Sequence, residues 1–385
     1  MNRVWYLLVT VVETLLRVMP FPTRTGLVKI GRPNRNAPVL LTGNFGLTVQ
    51  RVKRALGGQD AYLLVANSHG INVWCAAAGG HLTDHSVISV LKTSGIDELV
   101  DHRHVILPQL AATGIESRVI EAKTGWSVIW GPVRAQDIPP FLENGCRKTE
   151  PMRVVDFPWT RRLEMAAAWA FPISLVAALI LLPWWKAGIL PVVSLVWALA
   201  LLMFSAFPLY RPLLRTTGHN VGFVFFDFGR RGLPLLLLAL VVACVAAALL
   251  ITGSFSWPVL LRWTVISLVV MLVLSLDLTG STPIYKSGLH KDRLLQIILD
   301  TQRCTGVAAC LDVCPTNVFD WDSQRRMASV VRGEACVQCG ACLVQCPRDA
   351  LTFQSPSGQV IAPATIRRFK LNMLGKRRGT SVSET

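Results

Sequence analysis

The chain has 385 residues, of which 52% are hydrophobic and only 16% are charged, which argues against a single soluble globule and for burial in a membrane. Lys and Arg number 39 against 23 Asp and Glu. We assign this basic excess to an anionic membrane surface, because much of it flanks hydrophobic segments and the sequence contains no motif for binding nucleic acid.

The first 37 residues begin with a hydrophobic segment that carries Arg3, Glu13 and Arg17 at roughly helical spacing. No small-residue cleavage site is evident after it, which disfavours a signal peptide. We predict an amphipathic helix that lies on the membrane or on the protein, followed by a lead-in to the first domain.

Residues 38–150 alternate short apolar runs with helical stretches, which predicts a Rossmann-like α/β domain. Four strands are expected, at residues 38–42, 62–66, 104–107 and 127–130. Turn-forming loops follow three of them, and ligands of open α/β sheets bind at such carboxyl ends. We therefore predict a cofactor site there, with ordinary turn chemistry as the alternative.

Residues 163–280 contain apolar stretches of the ~20 residues that span a bilayer, and we predict a transmembrane helical bundle. The four stretches are residues 166–185, 188–210, 232–252 and 257–279. Basic residues cluster before the first, between the second and third, and after the fourth, which places both flanking domains in the cytoplasm. The expected location is the cell inner membrane, with several passes. Whether residues 221–228 form a fifth membrane segment stays open. An odd number of crossings would place the two domains on opposite sides of the membrane.

Seven of the ten cysteines lie between Cys304 and Cys346. In a long chain without secretory context, this indicates cluster binding in a reducing, anaerobic cytoplasm rather than disulfides. The run C-x2-C-x2-C-x3-C-P that begins at Cys336 matches the bacterial ferredoxin motif. Zinc is the alternative, but zinc sites rarely have four cysteines so tightly spaced.

An earlier run begins at Cys304 and has Val307 where a second cysteine would stand. Because the fourth cysteine of each run ligates the other cluster, we predict one complete [4Fe-4S] site and one incomplete site. The complete site takes Cys336, Cys339, Cys342 and Cys314, and the incomplete site takes Cys304, Cys310 and Cys346. Valine does not bind iron, so we favour a [3Fe-4S] or labile cluster in the second site. An incomplete [4Fe-4S] cluster with one open iron, or no cluster, are the alternatives.

Residues 297–360 are thus an α+β two-cluster bacterial ferredoxin module, preceded by a linker at 281–296 and followed by a basic tail at 361–385.

One cysteine, Cys75, stands alone in the α/β domain, within the run N-V-W-C-A-A at residues 72–77. The small residues after it would let a bulky planar group approach a helix or its end. On chemistry alone, a packed structural thiol is the alternative.

The run at residues 72–77 resembles the cap-helix motif of the corrinoid protein in the bacterial mercury-methylation pair HgcA and HgcB. Shorter similar pieces lie at residues 95–100, 107–110, 124–126, 131–135 and 279–283. The resemblance implies a corrinoid domain, a membrane anchor and the ferredoxin partner fused in one chain. It also implies a relation to the corrinoid iron–sulfur protein of acetyl-CoA synthesis.

The resemblance implies that Cys75 is the lower axial ligand of cobalt in a corrinoid such as cobalamin. It also implies a methyltransferase that passes a methyl group from cobalt to an acceptor such as Hg(II), while the ferredoxin module re-reduces cobalt. The implied partners are a methyl-donor methyltransferase linked to methyl-folate and an electron donor. Further corrinoid contacts are expected, by analogy and loop position, at Thr42, Asn44, Asn72, Trp74 and Gln109.

The sequence departs from the family pattern after the alanines, where the family has Gly-Lys and this chain has Gly79-Gly80-His81. A paralogous corrinoid methyl carrier with a different acceptor therefore stays open. So do a membrane-bound ferredoxin-type electron carrier and a non-catalytic corrinoid-binding module. His81, Asp84 and His85 are candidate ligands of cobalt or substrate, with a simple helix cap as the alternative.

Overall fold

The computed structural model describes residues 3–17, 19–213, 233–275, 282–283, 295–355 and 358–369. The protein divides into two compact units. The first contains residues 1–9, 19–156 and 295–385, and the second contains residues 10–18 and 157–294. The α/β domain and the ferredoxin module therefore share one unit, although the apolar segment separates them in the sequence.

The N-terminal helix α1 spans Arg3–Leu15 and agrees with the predicted amphipathic helix. Exposed apolar side chains follow each other at spacings of three and four residues, at Val4, Leu7, Leu8, Val11 and Val12. Such a spacing puts them on one face of the helix. This face has the composition expected of a helix that lies on a bilayer.

Five strands form the sheet of the α/β domain in the order β1-β3-β2-β4-β5. They are β1 Gly26–Ile30, β2 Val39–Gly43, β3 Ala61–Ala66, β4 His104–Pro108 and β5 Ser127–Gly131. The last four are parallel and agree with the predicted strands, whereas β1 pairs antiparallel with β3 at the edge. The sequence pattern does not indicate β1, so the predicted boundary at residue 38 is corrected: the sheet begins within the segment predicted as a lead-in. An edge strand that is only half buried carries a weak alternation signal.

Helices and two 3-10 helices cover both faces of this sheet. They are α2 Gly46–Ala55, α3 Val73–Ala78, α4 Asp84–Thr93, α5 Ile96–Leu99, the 3-10 helix Gln109–Thr113, α6 Ser117–Thr124, the 3-10 helix Ala135–Asp137, α7 Ile138–Glu143 and α8 Glu150–Arg153. β2 and β3 are buried along their whole length, as parallel strands between two helical layers are. Along β2, Leu41 joins the core on one face and Leu40 the core on the other.

The second unit is mostly apolar helix. Its helices are α9 Trp159–Leu181, α10 Ile189–Ser205, α11 Phe207–Tyr210, α12 Leu233–Ile251 and α13 Trp257–Ser275. Among the described residues, three segments are long and apolar enough to cross a membrane: Trp159–Leu181, Lys186–Ser205 and Trp257–Ser275. The shorter apolar stretch Leu238–Ile251 belongs to α12, where we predicted the third span. The possible fifth segment, residues 221–228, lies outside the described residues.

The ferredoxin module has two small antiparallel sheets and two short helices. The elements are β6 Gln296–Leu299, α14 Ala309–Val313, β7 Phe319–Asp322, β8 Met327–Val330, α15 Ala341–Gln345, β9 Leu351–Gln354 and β10 Val360–Ile361. β6 and β10 flank β9, and β7 pairs with β8. The predicted basic tail is corrected in part: Pro363–Phe369 forms α16, and its Ile366 is buried in the core of the unit.

Candidate cofactor and cluster sites

Cys75 lies on α3, which follows the carboxyl end of β3. Asn72 caps this helix, because its side-chain oxygen accepts a hydrogen bond of 3.0 Å from the backbone N–H of Cys75. His69 and Gly70 approach the helix with positive φ angles of 57° and 69°. A positive φ is uncommon for a residue other than glycine, so His69 marks a sharp turn into the cap. Side-chain capping by Asn72 therefore fixes the start of α3.

The two faces of α3 differ in burial. Ala76 and Ala77 are fully buried, whereas Trp74 and Cys75 are half-buried. The buried face packs so closely that a Cβ on Gly114 would lie 2.5 Å from the carbonyl oxygen of Ala77. This corrects our reading of the alanines, which serve packing within the protein rather than the approach of a planar group. A cofactor over Cys75 would have to bind on the face that carries Trp74.

Asn44 was predicted as a corrinoid contact, and its amide is used within the protein. Its side-chain oxygen accepts hydrogen bonds from the backbone N–H groups of Ser68 at 2.8 Å and Gly70 at 3.0 Å. Its nitrogen donates to the carbonyl of Thr23 at 3.2 Å. The residues around Thr23 therefore lie across the carboxyl ends of β2 and β3, and Pro22 pairs with Phe45 there. Nothing in the sequence pattern indicated this crossing segment.

Thr42 and Gln109, also predicted contacts, lie in different surroundings. The Thr42 side chain points to the opposite face of β2 from its neighbour Leu41, whose core includes Ala76 of α3. Its buried hydroxyl has no hydrogen-bond partner among the described residues. Gln109 is 1% exposed and binds Lys148 and the carbonyl of Arg153. Of the predicted contacts, only Asn72 and Trp74 share the cap with Cys75, and the corrinoid contacts stay predictions.

Most of the polar residues just beyond the cap helix have structural roles, in line with the helix cap that was the alternative to metal or substrate ligands. The Thr83 side chain caps α4 in a reciprocal arrangement with Ser86. Asp84 accepts a hydrogen bond of 2.6 Å from the backbone N–H of Glu116. His81 instead meets His69, with ring centroids 5.3 Å apart.

The seven cysteines of the ferredoxin module form two groups. Burial raises the pKa of Cys310 to about 12, and the neighbouring Cys304 and Cys346 contribute to this shift. Burial also raises the pKa of Cys339, with contributions from Cys314 and Cys336. Cys346 thus lies beside the first run and Cys314 beside the second, which is the exchange that the motif predicts. Burial thus disfavours the thiolate forms of Cys310 and Cys339, and cluster iron would supply the compensating positive charge.

Backbone N–H groups also point at these sulfurs. Val318, Gln338 and Ala350 donate to the Sγ atoms of Cys314, Cys336 and Cys346 at 3.3 to 3.4 Å. Hydrogen bonds to cluster sulfurs help to set reduction potential. Among the described residues, no three His, Cys, Asp or Glu side chains are grouped as ligands of one metal ion. A cluster does not require such grouping, because each thiolate binds a different iron.

The ferredoxin module packs on the α/β domain beside α3. Thr113 donates a hydrogen bond of 2.7 Å to the carbonyl oxygen of Cys339. Gln345 is buried and donates to the carbonyls of Ala112 and Ile115 at 2.7 and 2.6 Å. One hydrophobic core runs through both parts. The 3-10 helix Gln109–Thr113 therefore contacts both α3 and the Cys339 loop, and we call it the shared wall of the two domains.

Charged side chains complete this interface. Lys148 is 2% exposed and contacts Asp312, with its Nζ 2.7 Å from the backbone oxygen and 3.0 Å from the carboxylate. Burial lowers the pKa of Lys148 to about 8, although Asp312 opposes the shift. Arg367 of α16 binds Asp349 and lies 3.4 Å from Glu116 of the α/β domain. None of these residues belongs to a local sequence motif, so the sequence did not predict the ion pairs that they form.

Comparison with known proteins finds a family model similar to each part of this unit. Residues 16–142 match the family described as CO dehydrogenase/acetyl-CoA synthase delta subunit. Residues 303–351 match the 4Fe-4S dicluster domain. The first match begins before β1, in agreement with the corrected boundary. The second covers all seven clustered cysteines.

Individual relatives support the same relation for the α/β domain. The acetyl-CoA decarbonylase/synthase complex subunit gamma of Archaeoglobus fulgidus is 37% identical over 126 residues, 32% of this chain and 26% of that protein. The subunit gamma of Methanothermobacter thermautotrophicus is 40% identical over 120 residues, again 26% of that protein. The chain thus spans about a quarter of the length of these relatives. The predicted relation to the proteins of acetyl-CoA synthesis is confirmed for this domain, and the HgcA/HgcB resemblance stays a prediction.

Proposed function

We propose that the protein is a membrane-anchored corrinoid iron–sulfur protein that passes a methyl group from cobalt to an acceptor such as Hg(II). The observation that carries this proposal is the shared wall between the Cys75 helix and the loop of Cys339, a ligand of the complete cluster. When bound, a corrinoid supplies a cobalt ion that carries methyl groups and needs electrons to return to a low-valent state. The clusters are the source of those electrons within the chain.

Cys75 is the residue that would hold the cobalt from below. Its half-buried position on the outer face of α3 fits a ligand that is supported by the protein and open on one side. Asn72 fixes the start of the helix and so the position of Cys75. The Trp74 ring on the same face offers an apolar surface to a flat macrocycle. As a thiolate, Cys75 would donate electron density to the metal of a bound corrinoid and so support its methyl-transfer chemistry.

The packing of the two domains supports direct electron delivery. The 3-10 helix Gln109–Thr113 binds the Cys339 carbonyl through Thr113 and packs closely against α3 at Gly114. One shared core holds the two domains together. The corrinoid and the complete cluster would therefore both lie near the 3-10 helix Gln109–Thr113.

The same packing supports an even number of membrane crossings. Val155 precedes the apolar segment, and its backbone N–H donates to the carbonyl of Pro315 in the ferredoxin module at 2.8 Å. Asn317 of that module binds Glu150 at 2.6 Å. If the apolar segment anchors the protein in a membrane, both of its ends would lie on the same side, which suits four crossings by α9, α10, α12 and α13. The basic residues at these ends favour the cytoplasmic side of the inner membrane.

The acceptor and the partners follow from the resemblance. A methyl group that leaves with its electrons needs a soft electrophile, and Hg(II) is such an acceptor. Because this chain has Gly79-Gly80 where the family has Gly-Lys, a soft acceptor other than Hg(II) stays an alternative. The methyl group would come from a methyl-folate-linked methyltransferase, and the electrons from an external donor that reduces the clusters.

Single-turnover methyl transfer tests this function. Protein loaded anaerobically with methylcobalamin is mixed with Hg(II), and methylmercury is measured by mass spectrometry. We expect transfer by the wild type and at least a tenfold loss in Cys75→Ala. Cys146→Ala is the matched control, a second cysteine of the same domain that is remote in sequence from the cap, and it should react like the wild type. Wild-type protein that contains clusters but takes up no corrinoid would instead favour a membrane-bound ferredoxin.

A further inference from the structure

The two cluster-binding loops of the ferredoxin module share one backbone conformation. Val307 in the first loop stands where Cys339 stands in the second. The residue before each has a positive φ, 72° at Gly306 and 54° at Gln338. The residue after each is also left-handed, with 59° at Ala308 and 76° at Gly340. The first loop has therefore kept the conformation of a cluster loop, including a strained alanine, although its ligand is a valine.

The surroundings of these two equivalent positions differ. Cys339 faces the α/β domain, where Thr113 binds its carbonyl. Val307 is 61% exposed. Gly306 holds the first loop against the β7–β8 hairpin, where any Cβ would collide with the backbone of Arg326. The corner of the incomplete site is thus fixed in place and open to solvent.

We propose that the cluster bound by Cys304, Cys310 and Cys346 carries a fourth iron at the Val307 corner, and that a small thiolate from solution ligates this iron. The valine side chain has no donor atom, and its exposure leaves room for a small molecule. Thiolate is the ligand class that suits iron–sulfur sites and already supplies the other three ligands. In forming the site, a three-iron core of zero charge takes up Fe2+ to give a four-iron core of charge 2+, with no electron transferred.

This proposal depends on the cluster assignment alone and is independent of the corrinoid. Val307→Cys would supply the missing protein ligand. Thr305→Cys is the matched control, because it adds an exposed cysteine two residues away from the corner in the same loop. Each protein is reconstituted anaerobically with Fe2+ and sulfide. Iron content and the electron paramagnetic resonance (EPR) spectrum of the dithionite-reduced protein are recorded with and without 2-mercaptoethanol. Both are recorded again on a separate sample after mild ferricyanide oxidation.

We expect the thiol to change one of two cluster signals in the wild type and in Thr305→Cys. Ferricyanide should remove one iron per chain from both and give a three-iron signal. Val307→Cys should show neither effect. A wild type that holds one cluster only, or that ignores the thiol, would overturn the proposal, as would a thiol response that persists in Val307→Cys. Corrinoid uptake, read from the optical spectrum of the same samples, separates this result from the fate of the proposed function.

Discussion

Thr113 in the α/β domain donates a hydrogen bond of 2.7 Å to the carbonyl oxygen of Cys339, a residue 226 positions further along the chain. This bond joins the shared wall to the loop that carries Cys339, a predicted cluster ligand. Together with the hydrogen bonds of Gln345 and the common core, it holds the ferredoxin module against the α/β domain.

Thr113→Val should slow electron transfer from the clusters to cobalt several-fold without loss of iron. The substitution keeps the shape of the side chain but leaves the Cys339 carbonyl without its donor, at a cost of about 1–3 kcal/mol. Stopped-flow spectroscopy of cobalt reduction in the corrinoid-loaded protein measures the rate. Thr124→Val removes a hydroxyl bond within α6 and serves as the control. An unchanged rate in Thr113→Val would show that this contact does not matter for electron delivery.

Gln345→Leu should loosen the interface between the two domains. The side chain donates to two buried carbonyls and accepts from Ser117, so its loss leaves several polar groups unsatisfied. We expect faster amide exchange over residues 109–117, measured by hydrogen–deuterium exchange, while α9 and α10 keep their protection. Gln302→Leu, an exposed glutamine of the same module, should leave the exchange unchanged. Equal exchange in both variants would mean that the shared core alone holds the domains.

The lowered pKa of Lys148 predicts that the free energy of unfolding rises in the alkaline range. Burial lowers its pKa to about 8 in the folded protein, from an ordinary value of 10.5. Below about pH 8 the ammonium group is charged in both states. As the pH rises from about 8 to 10.5, the folded protein gives up this proton before the unfolded chain does, so stability increases, by about 3 kcal/mol at most.

Thermal unfolding of the full protein, followed by tryptophan fluorescence between about pH 7 and 10, measures this effect. Lys148→Met should lose the alkaline gain relative to the wild type. Lys123→Met, an exposed lysine of α6, should keep it. The same pH profile in all three proteins would contradict the role of Lys148.

Local patterns in the sequence predicted much of this protein. The parallel strands follow from short apolar runs between helical stretches, and the predicted cluster ligands follow from a motif of closely spaced cysteines. In each case the interacting groups are close in the chain, so their spacing carries the information.

The contacts that position the site are long-range and had no such signal. Thr113 and Gln345 find their partners more than 200 residues away, and neither belongs to a motif. The role of Ala77 was misread for the same reason, because Gly114 packs against it from a distant segment. β1 joins the sheet as an edge strand through its pairing with β3 rather than through a strong pattern of its own.

The most direct test of the account is the axial ligation of cobalt. Anaerobic protein reconstituted with cobalamin is examined by optical and EPR spectroscopy, for the wild type and Cys75→Ala. We predict a cobalt signal with thiolate ligation in the wild type and a changed axial ligand in the variant, with the cluster signals intact in both. Cobalt absent from both proteins, or a cobalt spectrum unaltered by Cys75→Ala, would contradict the account.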